Sequence, residues 1–197
     1  MTTPAACDLL SIGHSNLAVD RFVTMLTNAG VTAVADVRSV PFSRRFPWFS
    51  GKPLAERLMR EGVAYIALGD ALGGRPRDPK LYCDGVADYE AMAATPEFRA
   101  GLDRVADETR RHRLCLMCAE REPLDCHRCL LVGRALAGRG LAPGHILADG
   151  AIESHAATEQ RLLALAGGEE DLFRHPATRL ADAYRRRARA VAARIKG

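Results

Sequence analysis

Short apolar runs recur along this chain, and the stretches between them carry helical spacing. The runs are DLLSIG at 8–13, VTAVADV at 31–37, VAYIAL at 63–68, RLCLMC at 113–118 and GHILA at 144–148. Nearly continuous apolar runs suit strands buried on both faces, and strands alternating with helices suit a parallel sheet covered on both sides. The pattern predicts an α/β fold: a single three-layer domain with a mainly parallel sheet of about five strands, plus C-terminal helices. The core is expected over 1–150 and a helical extension over 151–197.

The helices between the runs have start and stop signals. LAVDRFVTMLTNAG is predicted helical, capped near Ser15 or Asn16 and stopped by Gly30. A second helix follows Ser50, with an early Pro53 and a terminal Gly62. Residues 86–94 read as a short helix, and Thr95–Pro96 opens a longer one to about His112. PLDCHRCLLVGRALAGRG reads as one helix beginning near Leu124 and closed by Gly138 or Gly140. The Gly/Pro-rich segment GDALGGRPRDPKLYCDG is long for a connection, and long loops in compact domains are often functional.

Composition matters mainly through charge and cysteine. The N-terminus has neither a basic n-region nor a long apolar h-region, and no apolar run has the length of a membrane span. A cytoplasmic protein with no membrane partner is expected, its six cysteines thiols and not disulfides. The net charge of +4 is uneven, because the last fourteen residues, YRRRARAVAARIKG, carry six basic groups and no acid. Leu180, Tyr184, Ala188, Val191 and Ile195 fall at helical spacing there, an apolar stripe that needs something to pack on. That end reads either as a packed amphipathic helix or as a contact to nucleic acid.

The chemically able residues cluster just past the predicted strands. His14 follows the first; Asp36 and Arg38 end the second, with Ser43, Arg44 and Arg45 beyond. Gly73, Gly74, Arg75 and Arg77 follow the third. Cys118, Glu120, Cys126, His127 and Arg128 follow the fourth, and Asp149 the fifth. Ligands in open parallel sheets bind outside the carboxyl ends of the strands, so five segments bring polar groups to one edge. Arg38, Arg44, Arg75 and Arg128 are planar forks suited to phosphate or carboxylate, with Asp36, Ser43 and Gly74 beside them. A helix N-terminus near Leu124 would add backbone N–H groups. Trp48, between arginines and phenylalanines, reads as a base-stacking platform or as part of a packed aromatic loop.

Four cysteines fall within LCLMCAEREPLDCHRC as C-x2-C-x7-C-x2-C, a zinc-like spacing. On a strand, however, Cys115 and Cys118 point to opposite faces, and Leu116–Met117 holds no turn former. No four-cysteine metal site and no cofactor is therefore expected, zinc remaining the alternative. Cys115 and Cys129 read as small buried hydrophobes, and packing is the default for Cys7 and Cys83. Cys118 and Cys126 differ by position: each reads as a thiolate nucleophile or redox-active thiol, or as a packed thiol. Glu120 reads as a general base or as a partner of Arg128, and His14 and His127 as acid–base groups or as hydrogen-bonded core residues.

SIGHSN, DVRSVPFSRRFPWF, YIALGDALGGRPR, MCAEREPLDCHR and HIL, in this order over about 10–155, resemble the bacterial and archaeal family catalogued as domain of unknown function 488. The resemblance implies an α/β core and the signature residues His14, Ser15, Asp36, Arg38, Pro41, Ser43, Gly73, Gly74, Cys118, Glu120, Cys126, His127 and Arg128. It implies no reaction.

Three functions stay open. The first is an enzyme-like cleft binding a small anionic or phosphorylated ligand, a nucleotide or nucleic acid. Arg38, Arg75 and Arg128 would hold the anion, Glu120, His14 or His127 would move protons, and Cys118 or Cys126 would be the nucleophile. Alanine at Arg38 is then expected to abolish binding and spare the fold. The second is a non-catalytic nucleic-acid-binding module. The third is a thiol-dependent or sulfur-transfer protein, whose DVR strand end faintly resembles rhodanese-like domains, although the cysteine-to-arginine spacing does not fit.

Overall fold

A computed structural model describes residues 9–167 and 175–195, so Cys7 lies outside the described residues. In chain order the elements are β1 (Leu9–Gly13), α1 (Val19–Asn28), β2 (Ala33–Asp36), α2 (Gly51–Met59), β3 (Ala64–Ala67), α3 (Gly69–Leu72), β4 (Tyr82–Cys83) and β5 (Val86–Ala87). There follow α4 (Tyr89–Ala93), α5 (Pro96–Thr109), β6 (Leu114–Cys118), α6 (Arg134–Ala137), β7 (Gly144–Ile146), β8 (Ile152–Ser154), α7 (His155–Leu165) and α8 (Pro176–Val191). The main sheet has six strands in the order β3-β2-β6-β1-β7-β8, and β4-β5 is a separate hairpin.

The first five strands of that order are parallel, as predicted; β8 runs antiparallel against β7 at one edge. β8 was not expected, and it falls in the segment read as helical extension. Its three residues are half-buried or exposed, so they lack the apolar run that marks the other strands.

Alternation along β6 builds a core on each face. Leu114, Leu116 and Cys118 join Phe98, Leu102, Val105, Leu162 and Tyr184 on one side. Cys115 and Met117 join Phe22, Leu26, Leu54 and Leu58 of α1 and α2 on the other. Each large apolar side chain buried in this way contributes about 1.5–3 kcal/mol. The opposite-face reading of Cys115 and Cys118 is thus correct. Thr95 caps α5 as read, accepting from the Phe98 N–H at 3.2 Å. The first cap differs: α1 follows Ala18 without a side-chain cap, and Ser15 takes a left-handed φ of 45°.

The segment read as one helix from Leu124 is broken. Pro123–Asp125 is a 3-10 turn, Cys126 is extended, Arg128–Gly133 winds as a π-helix, and only Arg134–Ala137 is α-helical. No helix N-terminus stands at Leu124. The C-terminal stripe packs, as one of its two readings had it: Tyr184 is buried, and Leu180, Ala188 and Val191 lie against the core. The arginines of α8 meet acids of the core, Arg185 with Glu90, Arg187 with Asp125 and Arg189 with Asp84. Ile195, by contrast, is half exposed. No helix among the described residues is long and apolar enough to cross a membrane.

Candidate functional site

The loops after β1 and β6 are zipped together by their backbones. The N–H of His14 donates to Cys118 O at 2.9 Å, and that of Ser15 to Ala119 O at 2.8 Å. This approach needs a glycine, because a Cβ on Gly13 would lie 1.7 Å from the carbonyl oxygen of Glu120. Val37 at the end of β2 donates to Met117 O, which brings the third loop in. Three strand ends therefore share one floor, as the strand-end clustering predicts.

Above that floor lies a cleft of about 460 Å³, lined by Arg38, Gly74, Arg75, Cys118, Glu120 and His127 among others. Several lining residues were not among the site residues read from the sequence. Ser39, Tyr89 and Asp125 line it, and Val191 and Ala193 at the end of α8 form one wall. Phe42 lines the rim and is 66% exposed.

The four reactive side chains of the 118–127 segment meet on one side of the cleft. Cys118 Sγ and Cys126 Sγ donate to the same Glu120 oxygen, Oε2, at 3.0 and 3.1 Å. His127 Nδ1 lies 3.6 Å from Cys118 Sγ and 3.9 Å from Cys126 Sγ. Its other nitrogen, Nε2, bonds the Val37 carbonyl at 2.8 Å. A carbonyl can only accept, so Nε2 carries a proton, and in the neutral ring the Nδ1 lone pair faces the sulfurs. Burial of the ring is outweighed by the hydrogen bond and charge of Cys126, which raise its proton affinity. Gly74 makes room for the ring, since a Cβ there would approach its Cγ to 2.6 Å.

Burial raises the Cys118 thiol well above its ordinary value, and the hydrogen bond with Cys126 adds to it. Burial acts the same way on Cys126, but the bond from Cys118, the charge of Arg128 and the hydrogen bond with His127 outweigh it and hold that thiol well below. Glu120 is exposed as a residue, but desolvation of its carboxyl beside the two buried thiols lifts it, helped by the Cys126 charge. The two cysteines read as buried hydrophobes behave so: Cys115 and Cys129 are buried, and burial pushes Cys129 up to about 12. Cys83, read as a packed thiol, is instead exposed in β4.

Several predicted residues hold the site and do not face the cleft. Arg128, expected to fork an anion, is fully buried; its guanidinium donates to Glu120 O at 2.6 Å and Arg121 O at 2.9 Å. Among the described residues it meets no carboxylate. The Cys126 sulfur, held low, is its nearest counter-charge, and the Arg128 backbone N–H donates to it at 3.4 Å. Asp36 is buried and grips Arg38 through Nε and Nη2, with Tyr65 donating to the same carboxylate at 2.6 Å. Arg38 Nη1 reaches His14 Nε2 at 3.1 Å.

His14 is stacked on Phe49 with centroids 4.2 Å apart, and burial followed by the Arg38 charge lowers it to about 4. His14 is therefore held towards its neutral form near pH 7 with Nε2 taken up by Arg38, the arrangement of a hydrogen-bonded core residue. Ser43 accepts from the Phe46 N–H and organises its own loop, while Arg44 is exposed and off the cleft.

A model of the family described as domain of unknown function DUF488 matches residues 18–135. That span is narrower than the 10–155 over which the motifs were read, and it leaves out His14, Ser15 and HIL. No curated protein and no solved structure matches.

Proposed function

This chain belongs to the DUF488 family, and from the site it carries we propose that the cleft is an enzyme active site for a small phosphate-bearing ligand, of which a nucleotide fits best. The observation that carries the reading is that one cleft joins Arg38 and Arg75 to Glu120 and His127. Its volume of about 460 Å³ lies in the usual range for small-ligand sites. It also stands at the carboxyl ends of the strands, where α/β sheets bind ligands.

Arg75 supplies the free positive charge: it is exposed and forms no ion pair among the described residues. Arg38 is already oriented by Asp36, with its charge largely offset. Phe42 at the rim offers a face for a base. Glu120, exposed at the mouth, is the carboxyl placed to exchange a proton with the ligand. A polymer bound along α8 is less well supported, because Arg185, Arg187 and Arg189 are taken up by acids of the core.

Calorimetric titration with inorganic phosphate and with AMP tests the reading on wild type and Arg75→Ala. Binding to wild type that the variant weakens by about 10-fold or more is expected, the usual scale for one charge-assisted contact. Binding of neither probe, or equal binding by the variant, overturns it.

A further inference from the structure

We infer that the same cleft wall holds a divalent transition metal, zinc by ligand type, on Cys118 Sγ, Cys126 Sγ, His127 Nδ1 and Glu120 Oε2. The inference takes its setting from the cleft just described and does not depend on which ligand the cleft binds. The four atoms all lie within 4.8 Å of one another. In a tetrahedral zinc site with bonds near 2.0–2.3 Å, neighbouring ligand atoms are about 3.3–3.8 Å apart. The sulfur–nitrogen distances of 3.6 and 3.9 Å match that spacing. The sulfur–oxygen distances of 3.0 and 3.1 Å are shorter, as expected for thiols donating directly to a carboxylate.

The surroundings are those of a metal site. A ligating histidine normally donates its other ring N–H to a carbonyl or carboxylate, which fixes the tautomer and the ring's aim. His127 does so through Nε2 to Val37 O, and Gly74 leaves the ring its place. The backbone N–H of Arg128 points at Cys126 Sγ. Charge supports the same conclusion. Two thiolates and a carboxylate around a divalent ion sum to one negative charge, and buried Arg128, which meets no carboxylate among the described residues, supplies the matching positive one. Without an ion, three potential anions crowd one another, and protons must stay on some of them to avoid the cost of burying like charges together.

Site chemistry assigns the roles within the set. Two sulfurs and an imidazole favour zinc over magnesium or calcium. Cys118, Cys126 and His127 are buried, whereas Glu120 is exposed on a loop. Glu120 is therefore the ligand that can yield its position to water or to an oxygen of a bound substrate, the open position that distinguishes catalytic zinc from structural zinc. The C-x2-C-x7-C-x2-C spacing is not the ligand set: Cys115 sits on the other face of the sheet, and Cys129 belongs to a second buried group with His145 and His155.

The full chain, purified without a histidine tag or chelator, is expected to carry one zinc by elemental analysis. The reduced, chelator-stripped protein should take up cobalt(II) with a thiolate-to-cobalt charge-transfer band and the strong visible bands of tetrahedral coordination. Cys118→Ser should abolish the charge-transfer intensity from one sulfur. Glu120→Ala, at an exposed side chain that leaves the fold intact, should weaken cobalt by about 10-fold or more. Cys115→Ser should change neither. Trace metal in the native protein together with no cobalt bands overturns the inference. So does uptake that survives Cys118→Ser and Glu120→Ala but vanishes in Cys129→Ser, which would place the metal on the second group. Phosphate and AMP binding measured on the metal-free protein reports separately on the ligand reading.

Discussion

The imidazole of His127 donates from Nε2 to the carbonyl oxygen of Val37 at 2.8 Å, although the two residues are 90 positions apart. The end of β2 thereby decides which ring nitrogen faces Cys118 and Cys126. The contact is set by tertiary structure, and the other side of the ring rests on Gly74.

Gly74→Ala follows directly. A Cβ there would stand 2.6–2.9 Å from His127 ring and Cβ atoms, and His127 is itself buried, so the ring must turn off the Val37 carbonyl. Overpacking of this kind costs about 1–3 kcal/mol. Urea unfolding should show that loss, and cobalt uptake should fall with it. A variant as stable as wild type with unchanged cobalt bands would mean that the ring is free to move.

Asp36 receives hydrogen bonds from the N–H, Nε and Nη2 of Arg38 and from the hydroxyl of Tyr65. Both charged partners are buried, so removing one strands the other. Asp36→Ala should cost about 3–5 kcal/mol. Alanine at Arg38 should also destabilise, contrary to the expectation that it spares the fold. Denaturant midpoints for both variants within error of wild type would refute this account.

Tyr184 closes a chain of buried hydrogen bonds. Ser11 Oγ meets His145 Nδ1 at 2.6 Å, His145 Nε2 meets His155 Nδ1 at 3.0 Å, and His155 Nε2 meets the Tyr184 hydroxyl at 3.1 Å. That hydroxyl donates to Glu159 at 2.9 Å. Tyr184→Phe leaves a buried ring N–H unmatched and should cost about 1–3 kcal/mol. Calorimetric unfolding would measure it; an unchanged transition would show that water takes the hydroxyl's place.

The same chain makes stability depend on pH. Burial lowers His145 well below 6.5, and the charges of His155, Arg128 and Arg161 add to it while Cys126 opposes. Burial also lowers His155, against the pull of Glu159. Between the unfolded value near 6.5 and the depressed folded values, the unfolded chain binds more protons than the native one. Stability contributed by the neutral rings is therefore full above pH 6.5 and lost progressively as pH falls below it. The urea midpoint should be clearly lower at about pH 5 than at about pH 7.5, and His155→Gln should flatten the slope. Equal midpoints at the two values would contradict it.

How far the sequence could be read depended on whether a contact is local. The apolar runs 31–37 and 113–118 announced buried strands, and the alternation Leu114–Leu116–Cys118 against Cys115–Met117 placed the cysteines on their correct faces. The convergence of His14, Arg38, Cys118 and Glu120 at one sheet edge followed from chain order alone. What failed was non-local. Helical spacing from Leu124 onward concealed a 3-10 turn, an extended Cys126 and a π-helix, because the Cys126–Glu120 and His127–Val37 contacts override the propensities of LDCHRCLL. Arg128 looked like any cleft arginine, since nothing in its neighbours foretells that the carbonyls of Glu120 and Arg121 enclose it. The four-cysteine set was rightly set aside on strand geometry, but nothing in the spacing showed that two of those sulfurs converge with a carboxylate and an imidazole.

The end of α8 supplies a wall of the cleft through Val191 and Ala193, and it is fastened there twice. Arg187 bonds Asp125 and the Leu124 carbonyl, and Arg194 bridges Val86 of β5. The family match ends at residue 135. Residues 18–135 thus carry Cys118, Glu120, Cys126 and His127, whereas one wall of the cleft beside them comes from outside the family match. The width of the space beside the Cys118–His127 cluster is therefore set by how α8 is seated, and loosening the Arg187–Asp125 pair would open the cleft without touching the cluster itself.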